Sequence, residues 1–224
     1  MVDERVMQNR TEARPVEVNS VIRNTYMLLS LTLLFSGLTA GVSMVINPPM
    51  GTGLVTTVVA LGLLWFVLPR TAQSAAGLGV VFLITGMLGF GLGPMLNHYI
   101  GGFANGAQLV MTALGGTGVI FLGLSAYAFT TRKDFSFMGG FLFVGILVAF
   151  LCGIGALIFQ MPGMMLGVSA MFILLMAGLI LYQTSAIIHG GETNYIMATV
   201  GLYIALYNMF TSLLHLLMAF AGER

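Results

Sequence analysis

The sequence predicts an all-α fold, a polytopic membrane helix bundle with seven transmembrane helices, and three observations carry that prediction. Between Arg23 and Glu223 the only charged residues are Arg70, Arg132, Lys133, Asp134 and Glu192, each in a short gap between long apolar runs. About 20 apolar residues in a helix cross the roughly 30 Å hydrocarbon core, whereas a charge at its centre costs about 2.5 to 3.5 kcal/mol, so the charges mark loops. The chain is 58% hydrophobic and 7% charged with mean hydropathy +1.00; a soluble domain carries about a quarter charged residues. Thirty glycines are the third observation, because small residues let helix backbones approach in lipid.

The breaks define the elements in order. The first span runs from about Thr25 to Ile46 and ends at Asn47-Pro48-Pro49, where two prolines cannot continue a helix. The second covers about Gly53 to Leu68 and closes at Pro69-Arg70. The third, Ala75 to Leu96, is interrupted by the glycine-rich run Gly86 to Pro94, where a kink is expected. The fourth covers Ala107 to Thr130, the fifth Phe137 to Phe159, the sixth Met164 to Ile188 and the seventh Tyr195 to Phe220. Residues 1–24 are polar and mixed in charge, and they read as a disordered cytosolic tail ahead of a transmembrane domain over 25–224. A charged lead of that length and an apolar run near 22 residues are both long for a cleaved signal.

Lysine and arginine bias sets the orientation, since basic loops stay cytoplasmic. Seven spans put Arg5, Arg10, Arg14, Arg23, Arg70, Arg132 and Lys133 on one side and Arg224 on the other. The amino terminus is therefore expected inside and the carboxyl terminus outside.

Several chemistries are disfavoured. A net charge of +1 indicates no nucleic-acid partner, and the lone Cys152 supports neither a disulfide framework nor a cysteine-rich metal site. No Asp or Glu falls within a predicted span, which argues against a carboxylate proton relay, a cation pump and paired-aspartate proteolysis. No H-E-x-x-H zinc motif occurs. Gly123-Leu124-Ser125-Ala126 gives the G-x-S context of a serine hydrolase, with His215 as a conceivable base, but three residues are a weak motif. No catalytic, cofactor-binding or metal-binding residue is assigned.

The polar residues inside the spans suggest at most a lined pathway. Asn208, Thr211, Ser212 and His215 recur at helical spacing on one face of the seventh span. Interhelical hydrogen bonding, at about 0.6 kcal/mol each, explains such residues without a cavity. A polar pathway is the functional alternative, with His215 able to change charge near neutral pH. Ser169 and Gln183 lie nearly in line on the sixth span, and Arg70 ends the second as a snorkelling anchor or a counter-charge to spans six and seven. Gly37/Gly41, Gly89/Gly93, Gly163/Gly167 and the series Gly145, Ala149, Gly153 read as packing seams.

Seven spans, the Arg132-Lys133-Asp134-Phe135-Ser136-Phe137 loop, Gly115-Gly116-Thr117 and the Leu202 to Phe210 segment (LYIALYNMF) together resemble the Bax inhibitor-1 (TMBIM) family. Arg23 to Leu33 and His189 to Tyr195 (HGGETNY) are similar to its YccA-like bacterial inner-membrane branch. The wider family implies a calcium leak gated by an aspartate pair on spans six and seven near an arginine ending span two. Arg70 matches that arginine, while the acidic pair falls at Gln183 and Ala205, an amide and a methyl that cannot share a proton or hold a hard cation. The branch resemblance implies instead a multi-pass inner-membrane protein that binds and modulates a membrane-anchored AAA protease of the FtsH type, as substrate and as inhibitor, in membrane protein quality control. The calcium leak is the alternative.

Overall fold

The computed structural model describes the backbone over residues 3–222 and side chains over residues 18–221. Seven helices are long and apolar enough to cross a membrane. They are α1 (Asp3–Ile46), α2 (Thr52–Thr71), α3 (Ala75–Gly102), α4 (Gly106–Thr131), α5 (Gly139–Ile158), α6 (Pro162–Ile188) and α7 (Tyr195–Gly222). A single 3-10 turn, Ser136–Met138, leads into α5. Each expected span is recovered with its ends moved by a few residues, except at two places.

Residues 3–24 are the first exception, since α1 is helical from Asp3 onward where an irregular segment was expected. The stretch contains Glu, Arg, Met, Gln and Ala, all good helix formers, and it continues a helix already nucleated by the apolar window Val18–Ile46. The third span is the other: α3 runs uninterrupted through Pro94 to Gly102, longer than expected by a turn and a half. Neighbouring helices in a bundle support the turn that the proline weakens.

The connections use local devices that the sequence specifies. Asn47 and Arg132 adopt left-handed φ of 52° and 49° and end α1 and α4. Asn194 starts α7, its Oδ1 accepting from the amides of Ile196 and Met197 at 2.9 and 3.2 Å. Its Nδ2 donates to Ala72 O at 2.9 Å and so ties α7 to the end of α2. Within α2, Leu63–Val67 forms a π turn just before Pro69, which cannot donate to a carbonyl in the preceding turn.

At the centre is α7, which packs against α1, α3, α4 and α6. Among the described residues helix α2 packs mainly on α3, with the Thr57 hydroxyl reaching Tyr207 of α7, and α5 packs on α6 and the 3-10 turn leading into it. The main core follows: Leu29, Ile84, Met176, Ile180, Leu202, Tyr203 and Met209 are almost fully buried, while α2 and α5 turn most of their apolar surface outward. Lipid receives that surface at no hydrophobic cost.

Two of the glycine series form seams. A Cβ at Gly89 or Gly93 would run into Ser36 and Ser43 of α1, and one at Gly145 would meet Leu175 of α6 at 2.6 Å. Ala149 in the same series is fully buried. Gly37, Gly41, Gly163 and Gly167 instead face open space, so these two pairs are not seams. Helical spacing of small residues does not say which side of a helix meets a neighbour.

Candidate functional site

The polar groups at helix junctions define the candidate site. On α7 the four-residue spacing of Asn208, Thr211, Ser212 and His215 does place them on one face, but most are satisfied locally. Asn208 Nδ2 donates to Ile204 O at 2.9 Å, and Thr211 Oγ1 donates to Tyr207 O at 3.0 Å. Ser212 is buried. His215 alone reaches another helix, with Nδ1 2.8 Å from Ser169 Oγ of α6. Ser169 Oγ also donates to Met165 O at 3.0 Å, so its single proton is used and Nδ1–H is the donor between them. That arrangement holds two helices together and leaves no activated nucleophile.

Ser125, the other serine considered for hydrolytic chemistry, is elsewhere. Tyr26 of α1 donates to Ser125 Oγ of α4 at 3.2 Å, and Thr184 Oγ1 of α6 lies 3.4 Å from the Tyr26 hydroxyl. Ser125 and His215 therefore have separate partners, and the serine–histidine pair is not assembled.

Arg70 is exposed at the end of α2, where its Nη1 donates to Phe66 O within its own helix. The end of α2 that carries it is tied to α7 through Asn194 and Ala72 O. Gln183, one position of the missing acidic pair, lies at the α6–α7 contact against α7, one turn from Ala205, the other position. A Cβ on Gly201, one turn before Ala205, would lie 2.5 Å from Gln183 Nε2, so the amide rests on bare α7 backbone. Ala205 itself is fully buried. Asp placed at both positions would bring two carboxylates to one helix contact.

Three junctions were not singled out from sequence. Tyr203 of α7 is 1% exposed; its hydroxyl lies 2.6 Å from Ser36 Oγ of α1 and donates to Thr85 O of α3 at 3.2 Å, joining three helices. Thr199 Oγ1, one turn earlier, reaches Thr25 O of α1 at 3.2 Å. The spacing Thr199, Tyr203, Tyr207 is a readable polar stripe. At the opposite end Asn97 Nδ2 donates to Met44 O at 2.9 Å and to Asn47 Oδ1 at 3.0 Å.

The loop between α4 and α5 is held by α6. Ser185 Oγ accepts from Phe135 N at 3.0 Å and donates to Lys133 O at 3.2 Å, and His189 Nε2 lies 3.1 Å from Arg132 O. Asp134 Oδ1 accepts from Ser136 N at 2.8 Å. That hydrogen bond, with the Ser136 hydroxyl, holds the Asp134 carboxyl below the ordinary carboxylate range, and the charge of His189 adds to it. Among the described residues no group of three His, Cys, Asp or Glu could hold a metal ion.

The comparisons with known proteins agree with this architecture. Residues 18–222 match the family described as inhibitor of apoptosis-promoting Bax1. A Pseudomonas aeruginosa protein is 45% identical over 223 residues, covering 100% of both chains. The modulator of FtsH protease YccA of Escherichia coli K12 is 46% identical over 216 residues, 96% of this chain and 97% of that one. The inner membrane protein YccA of Escherichia coli O6:H1 is equally similar. With a family match across all seven membrane helices and relatives of this identity along their whole length, the chain belongs to the Bax inhibitor-1 family.

Proposed function

We propose that this protein is an inner-membrane modulator of an FtsH-type AAA protease, acting in membrane protein quality control as substrate and as brake. The observation that carries the reading is the 46% identity over 96% of the chain to a protein named modulator of FtsH protease. The geometry supports it by what it offers: polar groups spent on helix junctions, a central helix packed on four neighbours, and no activated nucleophile at either serine considered. We assign it no catalytic activity.

The proposed mechanism is mechanical. Seven helices whose backbone hydrogen bonds would be exposed on extraction resist being pulled from lipid, so degradation depends on an accessible grip. Residues 3–17 precede the apolar window of α1, and a short helix outside lipid is marginally stable in water. With the amino terminus inside, this segment is the grip for a cytosolic motor. A slowly extracted occupant then delays degradation of other membrane proteins.

Affinity isolation from native membranes tests the partnership: a stoichiometric FtsH-type protease, with or without its regulators, is the expected result. Deleting residues 2–17 should lengthen the protein's lifetime and strengthen protection of other substrates. Unchanged turnover in protease-competent cells would remove the grip mechanism.

Family membership also favours a second reading, a calcium leak weakened by loss of the acidic pair. Neither Gln183, which lies against α7 at Gly201, nor the buried Ala205 one turn later carries a carboxylate. Calcium flux into proteoliposomes is therefore expected to be weak and flat between acidic and neutral pH, and Gln183→Asp with Ala205→Asp should introduce pH dependence. A strong acid-sensitive flux in the unmodified protein would favour the leak.

A further inference from the structure

Helices α1 and α2 both pack on α3 and do not touch each other. The gap between them is an open cleft of about 510 Å³, lined by Phe35 and Thr39 of α1, Thr56 of α2, and Gly79, Phe82 and Phe90 of α3. Its two hydroxyls are already engaged, Thr39 Oγ1 with Ser36 O at 2.9 Å and Thr56 Oγ1 with Gly53 O at 3.1 Å. The cleft offers no free donor and lies within the apolar spans, so its occupant is hydrocarbon.

Size separates the two hydrocarbon sources that a membrane contains. A partner helix about 10 Å across and 30 Å long occupies on the order of 2,400 Å³, far more than the cleft. From Gly79 to Phe90 the cleft follows α3 for about 16 Å at 1.5 Å per residue, and one leaflet is about 15 Å deep. A single acyl chain matches both the volume and the length.

The head end is set by Arg70. A Cβ on Gly77, two residues from Gly79, would meet Thr71 O at 2.6 Å, which places the Gly79 end of the cleft beside the end of α2. Arg70 is exposed there, with one guanidinium N–H on Phe66 O and no carboxylate partner among the described residues. The other N–H groups match phosphate oxygens. Trp65 and Phe66, 71% and 66% exposed, stand one turn deeper, as aromatic residues do at the headgroup boundary. We propose that the α1–α2 cleft binds one acyl chain of an anionic phospholipid whose phosphate is held by Arg70.

The test uses the full chain in liposomes containing phosphatidylglycerol with a mid-chain diazirine, and maps the photo-adducts. Gly79 faces open space, so Gly79→Phe fills the cleft without displacing protein atoms. Adducts on Phe82, Leu83 and Thr56 should fall about fivefold or more, since the ring takes over the chain's dispersion contacts. The same change at Gly155, which faces open space on α5, should leave them unaltered. Arg70→Gln, which leaves the cleft intact, should reduce the preference for phosphatidylglycerol over phosphatidylcholine about fivefold. Unchanged adducts in Gly79→Phe, labelling of α5 as dense as that of the cleft, an unchanged lipid preference in Arg70→Gln, or crosslinks to a protein in place of lipid would each overturn the proposal.

Discussion

Tyr203 illustrates how a membrane protein uses one hydroxyl. Its ring is buried in the centre of the bundle and its oxygen joins α1 and α3 to α7. Tyr203→Phe leaves Ser36 Oγ and Thr85 O without this partner, and the expected loss is about 1 to 2 kcal/mol, read as a lower unfolding midpoint in detergent. Asp134 gives a prediction in pH. Its carboxyl titrates below the ordinary range because the charged form accepts from Ser136, so the cap's contribution is present above the unfolded value, about 4, and is lost as pH falls through the folded one. Proteolysis of the 131–136 loop should accelerate in that acid window. Asp134→Asn, whose Oδ1 still accepts but does not titrate, should flatten the response.

Between helices, shape decides more than composition does. Gly93 and Gly41 both belong to small-residue pairs, yet only Gly93 faces a neighbour, with Ser43 where a side chain would go. Gly93→Leu is therefore expected to destabilise by about 1 to 3 kcal/mol, the usual cost of overpacking, while Gly41→Leu, directed to lipid, should stay within about 0.5 kcal/mol. Thermal unfolding of the two variants in the same detergent checks the contrast. The elements themselves were legible from residue patterns: Asn47-Pro48-Pro49 and His189 to Asn194 end or separate helices where the structure does, while α2 continues through Pro69-Arg70 to Thr71. The length of α3 was less legible, since a lone proline inside a bundle loses one hydrogen bond and the helix continues past Pro94 to Gly102.

For the molecule as a whole, orientation is the first quantity to measure. Arg70 at the end of α2 and Arg132 and Lys133 in the α4–α5 connection fall at helix ends that seven crossings put on one side. Reporter fusions after Arg224 and within 132–134 should therefore give opposite locations; matching signals would overturn the seven-span count, and an outside signal at 132–134 would refute the proposed inside amino terminus. The sequence by itself determined the class of the protein, the number of membrane helices, their approximate ends and the family, because charge exclusion and turn chemistry act residue by residue along the chain. Only the tertiary structure decided that His215 meets Ser169 and not Ser125, that Gln183 lies on Gly201, and that α1 and α2 leave a cleft over α3. In water a buried helix face announces itself by being apolar. In lipid both faces are apolar, so the rotation of each helix, and with it the partner of each polar side chain, is set by packing that one-dimensional patterns do not record.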